Sequence, residues 1–381
     1  MNKTKLKDCC LLNNYPQLDA NTLSELKTNF GNIKLLPSSK DYDWVSNEDK
    51  AKDYICEGEV ITLGKARYAN IKYYKGKFVS ANNVIVESFN QSILLTKYLY
   101  YYCLKNNKNF YIEGTTYPKF DINSFNNSLI TIVTIEEQEK LISVLDTIQN
   151  LIDTQEKQLN LLDELIKSRF VEMFETIDLS EEKPEWVELE KLTKIYTGTT
   201  PSSTDESNWN GDILWITPAE IDSDSFYIYN TVRKITEKGR KSKSLDIMPI
   251  NTVLLSTRAP IGKVGIVGKP MACNQGFKNF ECGTKLNPIF LYILLKNNTD
   301  YLNSLGSGTT FLEVSKSRIA KLKVPVPKIE LQNEFESFVK QVNKSKFVVH
   351  SRYFLCDILT LFSSTIAYSR VVSILAWPNI F

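Results

Sequence analysis

Apolar residues recur at alternating spacings of four and three between Glu136 and Phe174. The apolar positions of this repeat are Leu141, Leu145, Ile148, Ile152, Leu159, Leu162, Ile166 and Met173, and Gln155 and Arg169 occupy the two remaining positions. A 3.5-residue repeat predicts one long helix whose apolar stripe packs against another helix. No Gly or Pro interrupts the segment, so the helix would be about 58 Å long. This length favours a spacer over the core helix of one small domain.

The regions on both sides of this helix have the pattern of mixed α and β structure. Residues 60–86 contain several short β-type runs, and residues 247–278 contain similar ones. A short apolar helix is predicted after each region, around Leu94–Leu104 and at Pro288–Leu295. The polar stretch 175–184 ends in proline and is typical of a linker that ends the long helix.

The two halves of the chain resemble each other at a nearly constant offset. The matching positions are Gly114–Thr116 with Gly308–Thr310, Ile135 with Ile329, Glu136 with Glu330 and Gln138 with Gln332 at 194 residues, and Asn82 with Asn274 at 192. An offset that stays nearly constant over a long stretch indicates an internal repeat. We therefore expect two copies of one unit, each a mixed domain followed by a long helix.

This repeat predicts five segments. They are a first recognition domain at 1–134, a spacer helix at 135–178, a second recognition domain at 179–328, the start of a second spacer helix at 329–349, and an atypical apolar tail at 350–381. The second helix should carry its stripe at Phe335, Val339, Val342, Lys346 and Val349. If it ends near Val349, the stripe at 159–173 would lack a partner from this chain.

The tail does not continue the stripe. Between Tyr353 and Phe381 the chain has two charged residues, Asp357 and Arg370, whereas a coiled-coil helix in water needs a charged outer face. We expect that the original C-terminal sequence has been replaced, for example by a frameshift. A tail that binds a membrane or a partner is the alternative.

Composition restricts the chemistry. A net charge of +2 over 381 residues means that any nucleic-acid surface must be a local patch. Seven cysteines without a CxxC pair favour a reduced cytoplasmic protein over a disulfide framework. The single histidine, His350, argues against histidine-based catalysis in either main domain, and no glycine-rich phosphate-binding loop is present. We therefore expect no catalytic, cofactor or metal site in this chain.

Each half contains basic residues in a run without acids. These residues are Lys65, Arg67, Lys72, Lys75 and Lys77 in 60–86, and Arg258, Lys263, Lys269 and Lys278 in 247–278. Lys and Arg neutralise phosphates, while Asn, Gln and Arg contact base edges. Two such domains held apart by paired helices would suit two DNA half-sites at a fixed distance. The candidate DNA contacts are Lys65, Arg67, Tyr68, Asn82, Thr257, Arg258, Lys263, Asn274 and Gln275.

These features also have interpretations that do not involve DNA recognition. A single basic residue is more often part of a solvated face, and Arg258 fits a core ion pair equally well. A coiled-coil scaffold or membrane-associated adaptor that uses the apolar tail is one alternative function. A stand-alone DNA methyltransferase is another, because Asn287-Pro288-Ile289-Phe290 is faintly similar to a catalytic motif of adenine methyltransferases. The motif lacks its second proline, and an Asn-Pro start of a helix is the simpler interpretation.

Five motifs in the second half together resemble a known family. They are YTGTTPS at Tyr196–Ser202, GDILWITPAEI at Gly211–Ile221, STRAPIG at Ser256–Gly262, NQGF at Asn274–Phe277 and PVPKIELQN at Pro325–Asn333. The first half matches more loosely, mainly at Leu63–Arg67, Asn82–Asn83 and Glu136–Gln138. Up to about Val349 the chain resembles the specificity subunit of type I restriction-modification systems.

The resemblance implies an α+β fold with two similar mixed α/β target-recognition domains, separated by long antiparallel coiled-coil helices. Each domain would read one half of a bipartite site in double-stranded DNA. The subunit would be non-catalytic and would recruit modification (methyltransferase) subunits and a restriction (motor-nuclease) subunit. S-adenosylmethionine and ATP would be bound by those partners, and no membrane would be involved.

Overall fold

The computed structural model describes residues 3–65, 70–112, 117–221, 226–258, 260–307 and 312–365, and in the last helix it describes side chains through Lys346 and at Val349. The chain forms two compact units, one containing Met1–Thr154 and the other consisting of Gln155–Arg352. Several predictions concern residues outside the described ones. These are the candidate contacts Arg67 and Tyr68, the two Gly-Thr-Thr segments at 114–116 and 308–310, and the tail from 366 onward.

The first unit is built around one large mixed sheet. Its strands are β1 (Lys3–Lys5), β2 (Cys10–Asn13), β3 (Gln17–Leu18), β4 (Ile33–Leu36), β5 (Val45–Ser46), β6 (Cys56–Gly64), β7 (Lys72–Ala81), β8 (Asn83–Ser88), β9 (Tyr111–Ile112), β10 (Lys119–Phe120) and β11 (Leu129–Thr131). The large sheet has the order β2-β8-β6-β7-β4-β5, and β3 also pairs with β7. The short helices are α1 (Ala20–Glu25), α2 (Glu48–Ala51), α3 (Thr96–Asn106) and α4 (Ile122–Asn127).

The second unit contains two main sheets and a similar set of helices. Its strands are β12 (Val187–Glu188), β13 (Thr193–Thr197), β14 (Trp209–Ile216), β15 (Tyr227–Ile228), β16 (Arg233–Ile235), β17 (Val253–Leu255), β18 (Val264–Val267), β19 (Met271–Cys273), β20 (Lys278–Cys282) and β21 (Lys323–Val324). The sheet orders are β13-β20-β17-β18-β15 and β16-β14-β19. The short helices are α6 (Leu189–Leu192), α7 (Glu237–Ser242), α8 (Pro288–Asn297), α9 (Thr299–Ser304) and α10 (Lys316–Ala320).

Strand pairing in one unit is repeated in the other. In the first unit Val86 lies opposite both Leu12 and Ile61, and in the second Phe280 lies opposite both Ile195 and Val253. The offset is 194 residues for Val86 and Phe280, 192 for Ile61 and Val253, and 183 for Leu12 and Ile195. The offset is close to 194 only from β6 onward, which explains why the sequence repeat is visible there.

The core of the second unit follows the alternation of strand residues. Val253 and Leu255 belong to the apolar cluster that includes α8, whereas Leu254 belongs to a separate cluster with Val267 and Phe277. Successive side chains of a strand point to opposite faces, so β17 separates two apolar layers. All residues of α8 from Ile289 to Leu295 are buried, which its uniformly apolar sequence requires.

Two long helices complete the chain, α5 (Ile135–Phe174) and α11 (Ile329–Thr365). The predicted helix Glu136–Phe174 is confirmed. Its start is stabilised by a capping box, in which the backbone N–H of Glu137 donates to Thr134 and the Glu137 carboxylate accepts from the backbone N–H of Thr134. Helix α11 does not end near Val349. It contains no Gly or Pro through Thr365 and remains helical to that residue.

Within the second unit, α5 and α11 pack together in antiparallel orientation. Arg169 Nη2 lies 3.2 Å from Glu334 Oε1, whereas Asp163, earlier on α5, pairs with Lys346, later on α11. The buried residues between or next to these pairs are Ile166, Phe170, Phe335, Val339 and Val342. The stripe of α11 was therefore predicted correctly at its buried positions. The expectation that residues 159–173 lack a partner was wrong, because α11 supplies one.

Candidate DNA interface

Four loops of the second unit meet in one place. They are residues 198–202 after β13, 217–220 after β14, 256–258 and 260–263 between β17 and β18, and 274–277 between β19 and β20. Thr200 Oγ1 donates to Gln275 Oε1 at 2.7 Å, Lys263 Nζ donates to the carbonyl of Pro218 at 3.2 Å, and the backbone N–H of Thr257 donates to the carbonyl of Gly276 at 2.7 Å. Four of the five sequence motifs are thus parts of one surface.

Two glycines allow these loops to approach closely. A Cβ atom on Gly198 would lie 1.9 Å from the carbonyl oxygen of Cys273 and 2.5 Å from that of Asn274. A Cβ atom on Gly276 would lie 2.8 Å from Cγ of Pro218. Any larger residue would push these loops apart, which gives the glycines of the TGTTPS and NQGF motifs a physical role.

The carboxylate of Glu220 fixes the turn after β14. Its Oε1 accepts hydrogen bonds from the backbone N–H and the hydroxyl of Thr217, both at 2.9 Å. Its Oε2 accepts from the backbone N–H of Val232 at 2.7 Å. The acid therefore joins the turn that carries Pro218 to the segment before β16. This role was not predicted, because the partner is twelve residues away in a region of irregular structure.

One acid lies between two cations beside these loops. Arg258 Nε is 2.9 Å from Glu313 Oε2, and Lys278 Nζ is 3.7 Å from Glu313 Oε1. The Lys278 side chain is 8% exposed and the Arg258 side chain is 44% exposed. Burial lowers the pKa of Lys278, and the nearby Glu313 acts in the opposite direction. Arg258 thus makes an ion pair at the surface, not in the core, and the group of three carries a net positive charge.

The remaining candidates of the second unit differ in exposure. Lys263, Asn274 and Gln275 are half-buried at the meeting point of the loops. Asn274 Oδ1 accepts a hydrogen bond from the backbone N–H of Gly276 at 2.9 Å. Thr257 is fully buried, and its hydroxyl lies 3.3 Å from Lys278 Nζ. Thr257 therefore supports the loop from within the domain, while the other candidates reach its surface.

In the first unit the structure brings Lys65 and Asn82 together. The backbone N–H of Lys65 donates to the carbonyl of Asn82 at 3.3 Å, and both residues are exposed. Asn82 has a φ of 55° in the tight connection between β7 and β8, a left-handed conformation that Asn tolerates better than most residues. At the offsets of the sequence repeat, Lys65 corresponds to Arg258 and Asn82 corresponds to Asn274.

The fold pairs two lysines of the basic run of the first unit with acids and buries a third. Lys75 Nζ lies 2.9 Å from Glu59, and Lys77 Nζ lies 2.6 Å from Glu48. Lys72 is buried and donates to the carbonyls of Pro37 and Ser39. The run contains no acid, but strand pairing and α2 bring acids to it. A contiguous basic patch cannot be deduced from such a run alone.

Two matches to one family profile cover most of the chain. The profile describes the type I restriction modification DNA specificity domain, and it matches residues 1–164 and 181–350. The chain belongs to this family. It is a non-catalytic type I restriction-modification specificity subunit, the component that recognises the DNA target. The cofactors of such systems are carried by the modification and restriction subunits.

Individual relatives agree with this assignment. The chain is 35% identical over 175 residues to the type I restriction enzyme MjaIX specificity subunit of Methanocaldococcus jannaschii, covering 45% of this chain and 40% of that protein. It is 22% identical over 355 residues to the putative MjaX specificity subunit of the same organism, covering 86% and 80%. The chain therefore matches less than half the length of the first relative and most of the second.

A solved structure shows the same fold. The type I restriction-modification S subunit from M. genitalium superimposes with a TM-score of 0.60 over 94% of this chain and 93% of its own, at 13% sequence identity. The predicted α+β class, with two mixed-sheet domains and long packed helices, is thereby confirmed. Among the described residues, no helix has the length and apolar character needed to cross a bilayer.

Proposed function

We propose that this chain recognises a bipartite target in double-stranded DNA, with one half-site bound by each recognition domain. The observation that carries this proposal is the convergence of the motif loops on one surface of the second unit, where Arg258, Lys263, Asn274 and Gln275 reach solvent. The repeated strand pairing supports an equivalent surface in the first unit. The domain limits that we propose are 1–134 and 179–328, with a first spacer segment at 135–178 and a second spacer segment that begins at 329.

The side chains at this surface suit DNA. Arg258 and Lys263 supply positive charge for phosphates, and Asn274 and Gln275 supply amides that can bind base edges. Thr257, which is buried, acts by holding the Arg258 loop in place. In the first domain Lys65 and Asn82 take the corresponding roles, together with Arg67 and Tyr68, which lie outside the described residues.

The antiparallel helices act as the spacer between half-sites. Aromatic packing of Phe170 against Phe290 and Phe335 makes the junction of the spacer with the second domain rigid. A rigid junction would fix the number of base pairs between the two half-sites, as in dimeric DNA-binding proteins. The same helices offer surfaces to the modification subunits, which in turn assemble with a restriction subunit.

A cytoplasmic location fits this function. The described cysteines Cys9, Cys10, Cys56, Cys103, Cys273 and Cys282 are all free thiols. Free thiols of this number are typical of a reducing compartment, which is also where chromosomal and invading DNA are found in a bacterial or archaeal cell.

The decisive experiment compares methylated adenines across the genome in cells with and without this chain. We expect one bipartite motif to be methylated only when the chain is present. Reintroduction of the intact gene should restore it. Persistence of every methylated motif without the chain would contradict the proposal, as would methylation of DNA by the purified chain with S-adenosylmethionine alone.

A further inference from the structure

Arg233 lies over two tryptophans at the start of β16. Its guanidinium carbon is 3.5 Å from the centroid of the Trp209 ring and 5.6 Å from that of Trp215. The two indoles contact each other edge to face, with centroids 5.2 Å apart. Both tryptophans are buried, whereas Arg233 is exposed. One face of the guanidinium thus covers the indoles, and its polar edge faces solvent.

The tryptophans connect Arg233 to the candidate interface. Trp209 Nε1 donates to the carbonyl of Ser202 at 3.0 Å, and Trp215 Nε1 donates to that of Thr199 at 3.2 Å. These carbonyls belong to the loop whose Thr200 donates to Gln275. The stacking platform and the motif loops are therefore parts of one hydrogen-bonded assembly.

The backbone of Arg233 is also held in place. Arg233 lies opposite Trp215 in the β14–β16 ladder, and its carbonyl accepts a hydrogen bond from Thr231 Oγ1 at 2.6 Å. Val232, the preceding residue, donates its backbone N–H to Glu220. Backbone and side chain are thus both oriented before any ligand binds, which reduces the entropy lost on binding.

Arg233 differs from its neighbours in its charge environment. Arg240 pairs with Glu237 at 2.7 Å, and Arg258 pairs with Glu313 at 2.9 Å. Within the described parts of the chain, no carboxylate oxygen lies within 4.0 Å of a side-chain nitrogen of Arg233. Stacking on aromatic rings leaves the five N–H donors of a guanidinium available, because the contact uses the face of the group and not its edge.

The residues beside Arg233 present a mixed apolar and cationic surface. Val232 is 87% exposed and Tyr229 is 56% exposed, and Lys234 is exposed on the adjacent position of β16. An exposed valine suits contact with the methyl group of thymine, and a lysine suits a phosphate. The surface thus has the composition expected where a strand meets the major groove.

We propose that Arg233 is a specificity-determining residue that donates two parallel hydrogen bonds to N7 and O6 of a guanine in the half-site bound by the second domain. Val232 then contacts the neighbouring base. A planar, pre-oriented fork matches the two acceptors of guanine, whereas a phosphate contact would be served equally well by lysine. This assignment rests on the proposed function, which it deepens at one position of the site.

The test uses the full chain with its modification subunits and maps methylated adenines in cells. Arg233→Ala and Arg233→Lys are compared with the unsubstituted chain, and Arg240→Ala serves as a control that removes an arginine of the same domain already paired with an acid. Thermal unfolding of each purified chain shows whether it folds. We expect both Arg233 variants to lose discrimination at one position of one half-site, by about 5- to 150-fold, and the other half-site to stay unchanged.

The outcomes separate this assignment from the proposed function. Suppose that the unsubstituted chain directs methylation to a bipartite motif and that both Arg233 variants direct methylation to the same motif. This result would overturn the assignment of Arg233 and leave the proposed function intact. Full discrimination by Arg233→Ala would also overturn the assignment, since alanine has no side-chain donor for N7 or O6 of guanine. If the unsubstituted chain directs no methylation, the proposed function fails and the assignment fails with it.

Discussion

The side-chain oxygen of Gln332 accepts a hydrogen bond from the backbone N–H of Asn287 at 2.8 Å. This bond joins the first turn of α11 to the residue that caps α8. The amide nitrogen of Gln332 donates to the carbonyls of Lys285 at 3.1 Å and Pro327 at 2.7 Å. Gln332 is fully buried, so each of its three bonds replaces a bond to water that the folded protein cannot make.

The same arrangement is present in the first unit. Gln138 accepts from the backbone N–H of Leu95 at 2.9 Å and donates to the carbonyls of Ile93 and Val133, both at 2.8 Å. The match of Gln138 and Gln332 in the sequence repeat thus reflects one structural element. In each unit, a buried glutamine connects the start of a long helix to the start of the domain helix.

We predict that Gln332→Ala lowers the free energy of unfolding of the second unit by about 2–3 kcal/mol, because three backbone groups lose their hydrogen-bond partner and one of them, the N–H of Asn287, is buried. Urea unfolding followed by tryptophan fluorescence measures this change, since Trp186, Trp209 and Trp215 lie in this unit. Gln341→Ala, an exposed position of the same helix, should change the value by less than about 0.5 kcal/mol. Equal effects of the two substitutions would contradict the role of Gln332.

Phe170 is the central side chain at the base of the helical spacer. It is 2% exposed, stacks on Phe290 at 5.5 Å between centroids and contacts Phe335 edge to face at 5.4 Å. Phe170→Ala should therefore cost about 3–5 kcal/mol of unfolding free energy through lost burial and a cavity. Leu161→Ala removes a side chain of α5 that is 62% exposed and is the control. Similar unfolding midpoints for Phe170→Ala and the unsubstituted chain would show that the helices are not held by this contact.

A substitution at Arg258 tests whether the positive charge of the candidate interface contributes to DNA binding. We predict that Arg258→Ala weakens binding of the assembled complex to its target DNA by about 1–3 kcal/mol, with the loss confined to one half-site. Lys269→Ala removes one charge at an exposed position of the same domain and should have a smaller effect. Equilibrium binding to DNA with either half-site altered measures both changes. Unchanged binding of Arg258→Ala to every DNA would remove this residue from the interface.

Lys72 makes the stability of the first unit depend on pH. Burial lowers its pKa to about 8 in the folded protein, whereas lysine in an unfolded chain has a pKa of about 10.4. Between these two pKa values the unfolded chain binds more protons than the folded protein. The free energy of unfolding therefore rises with pH in this range, and this gain is lost as pH falls through 8. Lys72→Met lacks this contribution.

Urea unfolding of both proteins at pH 7 and pH 9.5 measures this difference. We expect the stability of Lys72→Met relative to the unsubstituted chain to be highest at pH 7 and to decrease toward pH 9.5. Lys65→Met, at an exposed position of the same unit, is the control for the loss of a lysine from this unit. The lowered pKa of Lys72 would be contradicted if the free energies of unfolding of Lys72→Met and the unsubstituted chain differed by the same amount at both pH values.

Local periodicity was sufficient to predict the helices and the repeat. The 3.5-residue pattern located α5, and the buried positions Phe335, Val339 and Val342 of α11 followed from the repeat. The end of α11 could not be predicted from that pattern, because a heptad stripe shows where a helix is packed and not where it ends. The helix continues to Thr365, beyond the last position of the stripe.

The sequence by itself determined the long helix, the two-fold repeat and the motifs of the second unit, since these depend on the spacing of apolar residues, glycines and turns along the chain. The resemblance of those motifs to a known family implied the fold class, whereas only the structure showed that their loops meet. The charge of the surface was decided only by the tertiary structure. Glu313 reaches Arg258 from 55 residues away, Glu59 reaches Lys75 across a strand pair, and Trp209 and Trp215 orient Arg233. Each of these contacts joins residues that are distant in sequence, so only the pairing of strands and loops determines which cations are neutralised and which remain available to DNA.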